Sequence, residues 1–165
     1  IPGEVLCNEE GNMLKVLIAD DEEKICQLII KLINWEEMGL KIAATASNGI
    51  EALEQAKICK PEILITDIRM PGIDGMELIR KVKEKLPDTE IIIISGYRHF
   101  EYAQTAIRYG VRNYLLKPIK KEELRDTLQK IADIYREKNE QLNFEERVRL
   151  ALKNDAGKLP VLFPV

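Results

Sequence analysis

The chain has 165 residues, with 25 Lys and Arg against 28 Asp and Glu and a formal charge of −3. That length suits one domain of ordinary size plus a short further segment, and the mild acidity argues against a nucleic-acid surface. The 45% apolar content is that of a globular protein, no apolar run approaches the ~18 residues of a membrane span, and the N-terminus lacks the basic start and apolar core of a secretion signal.

Residues 1–12 match no regular element and are expected to be an N-terminal extension or tag remnant, with Met13 opening the folded part. A nearly continuous apolar run at residues 14–19 (LKVLIA) predicts the first strand. Ile25, Leu28, Ile29, Leu32 and Ile33 then follow the spacing of one buried helical stripe. Residues 41–46 (KIAATA) give a second strand, the weakest and therefore expected at an edge. Ile50, Leu53 and Ala56 mark the second helix, and residues 62–66 (EILIT) the third strand. Met76, Ile79, Val82 and Leu86 mark the third helix, ended by Pro87. Residues 90–94 (EIIII) give the fourth strand. Phe100, Ala103 and Ile107 mark the fourth helix, with Gly110 as its C-terminal residue. Residues 112–116 (RNYLL) give the fifth strand, and Leu124, Leu128, Ile131 and Tyr135 the fifth helix. Strands this uniformly apolar are covered on both faces, as in a parallel sheet. Five β–α repeats joined by short loops imply an α/β, doubly wound parallel sheet in a single domain over residues 13–136. Residues 137–165 read as a linker or C-terminal segment, with a short helix carrying Phe144, Val148 and Leu152 and ending near Gly157 and Pro160.

Cys7, Cys26 and Cys59 are odd in number and lack a C-x-x-C spacing, which disfavours a disulfide framework or a zinc site and suits a reducing cytoplasm. His99 is the only histidine and reads as a solvated residue at a helix start. Acid–base or metal chemistry therefore falls to carboxylates and lysines.

Four strands end in chemically capable residues: Asp20 and Asp21 after the first, Asp67 after the third, Ser95 after the fourth and Lys117 after the fifth. In open parallel sheets ligands bind outside the carboxyl ends of the strands, where the winding reverses. Strand order 2-1-3-4-5 brings all five residues to one rim. Taken singly, each has a plainer role. Asp20 with Glu23 matches a capping box, Asp67 and Ser95 can be turn or loop residues, and Lys117 can be a surface lysine before Pro118. Together they form a coherent site. Crowded carboxylates raise one another's pKa unless a cation compensates, and oxygen ligands suit Mg²⁺. A carboxylate beside Mg²⁺ and a lysine is poised to accept a phosphoryl group on its own oxygen.

The motifs LIADDE (17–22), ITDIRMPGIDGMEL (65–78), IISGY (93–97) and YLLKPI (114–119) resemble the receiver domain of two-component response regulators, with its flavodoxin-like, chemotaxis-type fold. The stretch SGYRHFEYAQTAIRYGVRNYLLKPI is similar to receivers joined to AraC-type helix-turn-helix output domains. The resemblance implies that Asp67 is the phosphoacceptor. It implies Mg²⁺ ligation by Asp21, Asp67 and the backbone carbonyl of Arg69, with Asp20 holding the metal through water. It implies that Lys117 bridges to the phosphoryl group ahead of a cis peptide to Pro118, that Ser95 is the switch hydroxyl, and that Tyr114 is the switch aromatic. A sensor histidine kinase is the expected partner. Dimerisation is expected through the face of the fourth helix, fifth strand and fifth helix, where Arg108, Arg112, Lys120, Glu123 and Asp126 are available. DNA would be reached only through an output domain outside residues 1–165. Arg69 and Tyr97 are expected to project over the phosphoryl group and hinder water.

Three other functions meet obstacles. An aspartate-nucleophile phosphohydrolase needs a second acid where Arg69 stands. A nucleotide or flavin binder needs a Gly-rich phosphate loop where DDEEK follows the first strand. A phosphate-independent docking receiver has no need of the intact acidic set.

Overall fold

The computed structural model describes residues 13–96 and 100–154. Strand β1 (Leu14–Ala19) leads to helix α1 (Glu23–Leu32), a short 3-10 turn (Glu36–Met38) and β2 (Leu40–Ala46). Helix α2 (Gly49–Cys59), β3 (Ile63–Thr66), α3 (Gly75–Lys85), β4 (Glu90–Ser95), α4 (Phe100–Arg108), β5 (Asn113–Leu116) and α5 (Lys121–Asn154) follow. The five strands form one parallel sheet in the order β2-β1-β3-β4-β5. KIAATA lies at an edge as expected, with a register shift against β1 between Val16 and Leu17. The remaining strand boundaries agree with the sequence reading to within one residue. Every residue of β3 and β4 is buried, which is why these strands read as unbroken apolar runs.

The helix stripes needed correction at three large aliphatics. Leu28, Ile50 and Ile107 are exposed, while Cys26 in α1, Ala52 and Ala56 in α2 and Ala106 in α4 are buried. Small residues let a helix lie close on the sheet, so the neighbouring bulky residue is turned outward. Gly110 has φ +83 and its N–H donates to the Ile107 carbonyl at 3.0 Å, closing α4 as its position predicted.

Helix α5 overturns the expectation of two shorter helices. It runs unbroken from Lys121 to Asn154, through residues 136–144 where the apolar pattern thins. No glycine or proline interrupts that span, and its Glu, Lys, Arg, Leu and Ala content favours helix regardless of burial. The chain falls into two compact units, 1–129 and 130–165, with the break inside α5. The first unit contains the sheet. The second, over its described residues, is the rest of α5, where Leu142, Phe144, Leu150 and Leu152 are exposed. Gly157, Pro160 and the segment 1–12 lie outside the described residues.

At the amino ends of the strands, polar groups knit the loops together. Lys15 Nζ donates to the Cys59 carbonyl at 2.8 Å, and the Lys15 N–H to Glu62 Oε1 at 2.6 Å. Thr89 Oγ1 donates to the Pro61 carbonyl at 2.7 Å, Lys83 Nζ to the Thr89 carbonyl at 2.7 Å, and Arg112 pairs with Glu90. This fixed edge is opposite the rim that carries the candidate site.

Candidate functional site

Asp20, Asp67, Ser95 and Lys117 each follow or end a strand at the same edge of the sheet. Ladder bonds continue past the strands and hold the rim backbone. The Asp20 N–H donates to the Ala46 carbonyl at 3.0 Å, the Asp67 N–H to the Ala19 carbonyl at 3.1 Å, and the Lys117 N–H to the Ser95 carbonyl at 2.9 Å. The peptide bond from Lys117 to Pro118 is cis, as the resemblance implied.

Lys117 joins the two buried carboxylates. Its Nζ lies 2.9 Å from Asp67 Oδ2 and 3.2 Å from Asp20 Oδ2. Asp20 is 3% exposed and Asp67 6%. The other oxygens accept backbone donors: Asp20 Oδ1 from the Glu22 N–H at 2.9 Å, and Asp67 Oδ1 from the Ile68 N–H at 2.6 Å. The capping-box reading of Asp20 is thereby corrected. Glu22 occupies the N-cap position of α1 and makes no side-chain cap bond, while the Asp20 side chain turns into the rim.

Burial raises the Asp20 pKa above the ordinary carboxylate value, against the lowering effects of the Glu22 N–H and of Lys117. Burial also draws the Lys117 ammonium down, yet its hydrogen bond and charge interaction with Asp67, and those with Asp20, outweigh it and leave the lysine raised. One ammonium thus stands against two buried carboxylates. Asp21 is exposed, and carboxylate oxygens of Asp20, Asp21 and Glu22 lie within 4.8 Å of one another. This oxygen-only, net-negative donor set fits a hard divalent cation. Glu22 was absent from the sequence-derived candidates, although it belongs to the same acidic run.

Ser95 is fully buried, and a hydrogen bond links its side chain to the Tyr114 hydroxyl. The Tyr114 ring packs against the apolar core between the sheet and α2, α3 and α4. Burial raises the Tyr114 phenol above its ordinary value, with the Asp67 and Tyr102 charges adding to the shift. Arg69 is exposed two residues beyond Asp67. Tyr97 and His99 lie outside the described residues. Of the charged residues on the α4–β5–α5 face, Arg112 is engaged with Glu90 in the same chain.

Comparison with known proteins shows the family of the chain and its fold. The family model described as "Response regulator receiver domain" matches residues 16–129. The chain is 40% identical over 139 residues to an uncharacterised transcriptional regulatory protein, YesN, of Bacillus subtilis, covering 81% of this chain and 38% of that protein. It is 40% identical over 107 residues to the transcriptional regulatory protein HptR of Staphylococcus aureus, covering 65% of this chain and 42% of HptR. The chain therefore spans less than half the length of these relatives. Among solved structures, the receiver domain of AraT from Geobacillus stearothermophilus superposes with TM-score 0.73 at 41% identity, over 77% of this chain and 98% of that one. A two-component transcriptional regulator, AraC, from Clostridium phytofermentans superposes with TM-score 0.68 at 36% identity, over 73% of this chain and 93% of that one.

Proposed function

The chain belongs to the response regulator receiver family, and we propose on that basis that it is switched by phosphorylation of Asp67. The observation that carries this reading is the buried Asp67 carboxylate at the end of β3, with Lys117 Nζ 2.9 Å from its Oδ2. In the proposed step, an Asp67 oxygen attacks the phosphorus of a phosphohistidine on a sensor histidine kinase. A P–O bond forms, the P–N bond breaks, and the imidazole leaves with the electron pair. The product is an acyl phosphate. Lys117 then pairs with a phosphoryl oxygen in place of the carboxylate oxygen it holds in the resting state.

Asp20, Asp21, Asp67 and the Arg69 carbonyl are the residues proposed to hold Mg²⁺. The bound ion would neutralise charge gathering on the phosphoryl oxygens. Phosphorylation adds about −1.5 to −2 charge at the rim, which draws the Ser95 hydroxyl toward it and breaks the Ser95–Tyr114 hydrogen bond. The Tyr114 ring then carries the change toward α4. The population shift is read out as dimerisation through α4, β5 and α5, and it controls an AraC-type DNA-binding output domain outside residues 1–165. This reading makes the protein a cytoplasmic signalling domain rather than a metabolic enzyme. Among the described residues, no helix is long and apolar enough to cross a membrane.

The test is the intact mass after incubation with Mg²⁺ and acetyl phosphate, beside Asp67→Asn. One base-labile phosphoryl group, absent from the variant, is expected. No uptake by the folded wild type, even with kinase phosphodonors, would leave a phosphate-independent docking module. Uptake by the variant would assign the acceptor elsewhere.

A further inference from the structure

The loop that follows Asp67 is gripped by the start of α2. The Gly49 N–H donates to the Pro71 carbonyl at 3.3 Å. A Cβ added to Gly49 would stand 2.0 Å from the Ile73 carbonyl oxygen and 2.4 Å from Ile73 Cγ1, far inside the 3.4 Å at which ordinary contact begins. Next to it, the Ile50 side chain lies against Gly72, which has φ +84. On the other flank of the loop, the Gly75 N–H donates to the Ile68 carbonyl at 2.6 Å, and a Cβ at Gly75 would stand 2.1 Å from the Asp67 carbonyl oxygen. The segment from Asp67 to Gly75 is therefore held from two sides, by helix starts that approach it backbone to backbone.

Helix α2 does not itself need glycine at this position. Asn48 already caps it, accepting the Glu51 N–H at 2.8 Å, Gly49 does not have a positive φ, and alanine has the higher helix propensity. What requires glycine is the nearness of the Ile73 carbonyl. We propose that Gly49 is a positioning residue for the phosphoryl site: its bare Cα seats α2 against the loop and so fixes the Arg69 carbonyl and the Asp67 carboxylate. Pro71 and Gly72 are exposed, so a side chain at position 49 is relieved by pushing the loop outward by roughly 1 Å, a displacement able to cost up to about a hundredfold in a positioned reaction.

The inference rests on the reading of Asp67 as phosphoacceptor, and its test separates the two. In the metal-free protein, amide exchange followed by NMR is compared for the wild type, Gly49→Ala and Ile50→Ala, with unfolding midpoints measured alongside. Mg²⁺ affinity and acetyl phosphate uptake are then measured on the same proteins. Gly49→Ala is expected to speed exchange at Ile68 and Gly75, and to slow phosphorylation and weaken Mg²⁺ binding about tenfold, while the midpoint moves by less than about 5 °C. Ile50→Ala, which adds no clash and only removes the buttress on Gly72, is expected to shift the same readouts about two- to threefold. Wild-type exchange, Mg²⁺ affinity and uptake in Gly49→Ala would overturn the proposal, as would a fall in midpoint alone. Were Gly49→Ala not to fold, wild-type behaviour of Ile50→Ala would overturn it. A wild type that takes up no phosphoryl group would refute the acceptor assignment, with the metal-free exchange data still deciding the role of Gly49.

Discussion

Lys117 Nζ sits 2.9 Å from Asp67 Oδ2 although the strands that carry them are not neighbours. Strand β4 lies between β3 and β5, and the lysine reaches over its end to meet the aspartate. The same ammonium is 3.2 Å from Asp20 Oδ2. Removing it takes that ammonium from two buried carboxylates. Lys117→Met is therefore expected to destabilise the metal-free protein at pH 7 by about 2 kcal/mol, somewhat less than the ~3–5 kcal/mol of a fully buried pair because the lysine is partly open to water. Added Mg²⁺ should recover part of that loss. Urea unfolding with and without Mg²⁺ measures both effects.

Asp20 gives the pH dependence. Its pKa in the folded chain is raised from 3.8, chiefly by burial, so the folded state holds its proton more tightly than the unfolded chain does. The unfolded chain loses that proton first, and the contribution of this group to stability falls as pH rises from 3.8 through the raised value. Asp20→Asn removes the penalty. The variant is expected to be more stable than the wild type at pH 7.5 without metal, and the gap should close toward pH 4. Denaturant unfolding at the two pH values checks the sign, and equal gaps at both would contradict it.

The hydrogen bond between Ser95 and Tyr114 separates two roles. Tyr114→Phe keeps the ring and loses the hydroxyl, so a stability cost of about 1 kcal/mol is expected. The initial rate of acetyl phosphate uptake should stay at the wild-type level, since the proposed acceptor is Asp67 and the proposed role of Tyr114 follows the transfer. A large fall in that rate would place Tyr114 in the chemistry itself.

Ile107 is 71% exposed on α4. Ile107→Ser is expected to leave monomer stability within about 0.5 kcal/mol. If α4 contributes to the phosphorylated dimer, the same variant shifts sedimentation of the phosphorylated protein toward monomer.

The sequence made the strands and the rim legible for physical reasons. Strands covered on both faces carry no alternation, and Ile91, Ile92, Ile93 and Ile94 announce that directly. In a parallel sheet Asp20, Asp67, Ser95 and Lys117, each at the carboxyl end of its strand, have to share an edge. Less legible was what each helix buries. Large aliphatics alone point to Leu28, Ile50 and Ile107, which are exposed, whereas the smaller Cys26, Ala52 and Ala106 are buried, as are Ile29 and Ile33, because side-chain size governs how near a helix can come. The extent of α5 was hidden for the opposite reason. Its later turns need no apolar stripe to remain helical, so a fading pattern does not mark an ending. The seat of Gly49 was not visible at all, since it depends on a carbonyl contributed from a different β–α repeat.

The polar lattice at the amino ends of the strands confers an asymmetry of motion. Lys15, Glu62, Thr89, Lys83, Arg112 and Glu90 tie successive loops to one another there, whereas the opposite ends carry the charge cluster of Asp20, Asp67 and Lys117. The strands are anchored at their amino ends by side chains as well as by the backbone ladder. Slow-exchanging amides should accordingly cluster toward the clamped end, with openings that require global unfolding, and grade to faster local openings toward the rim.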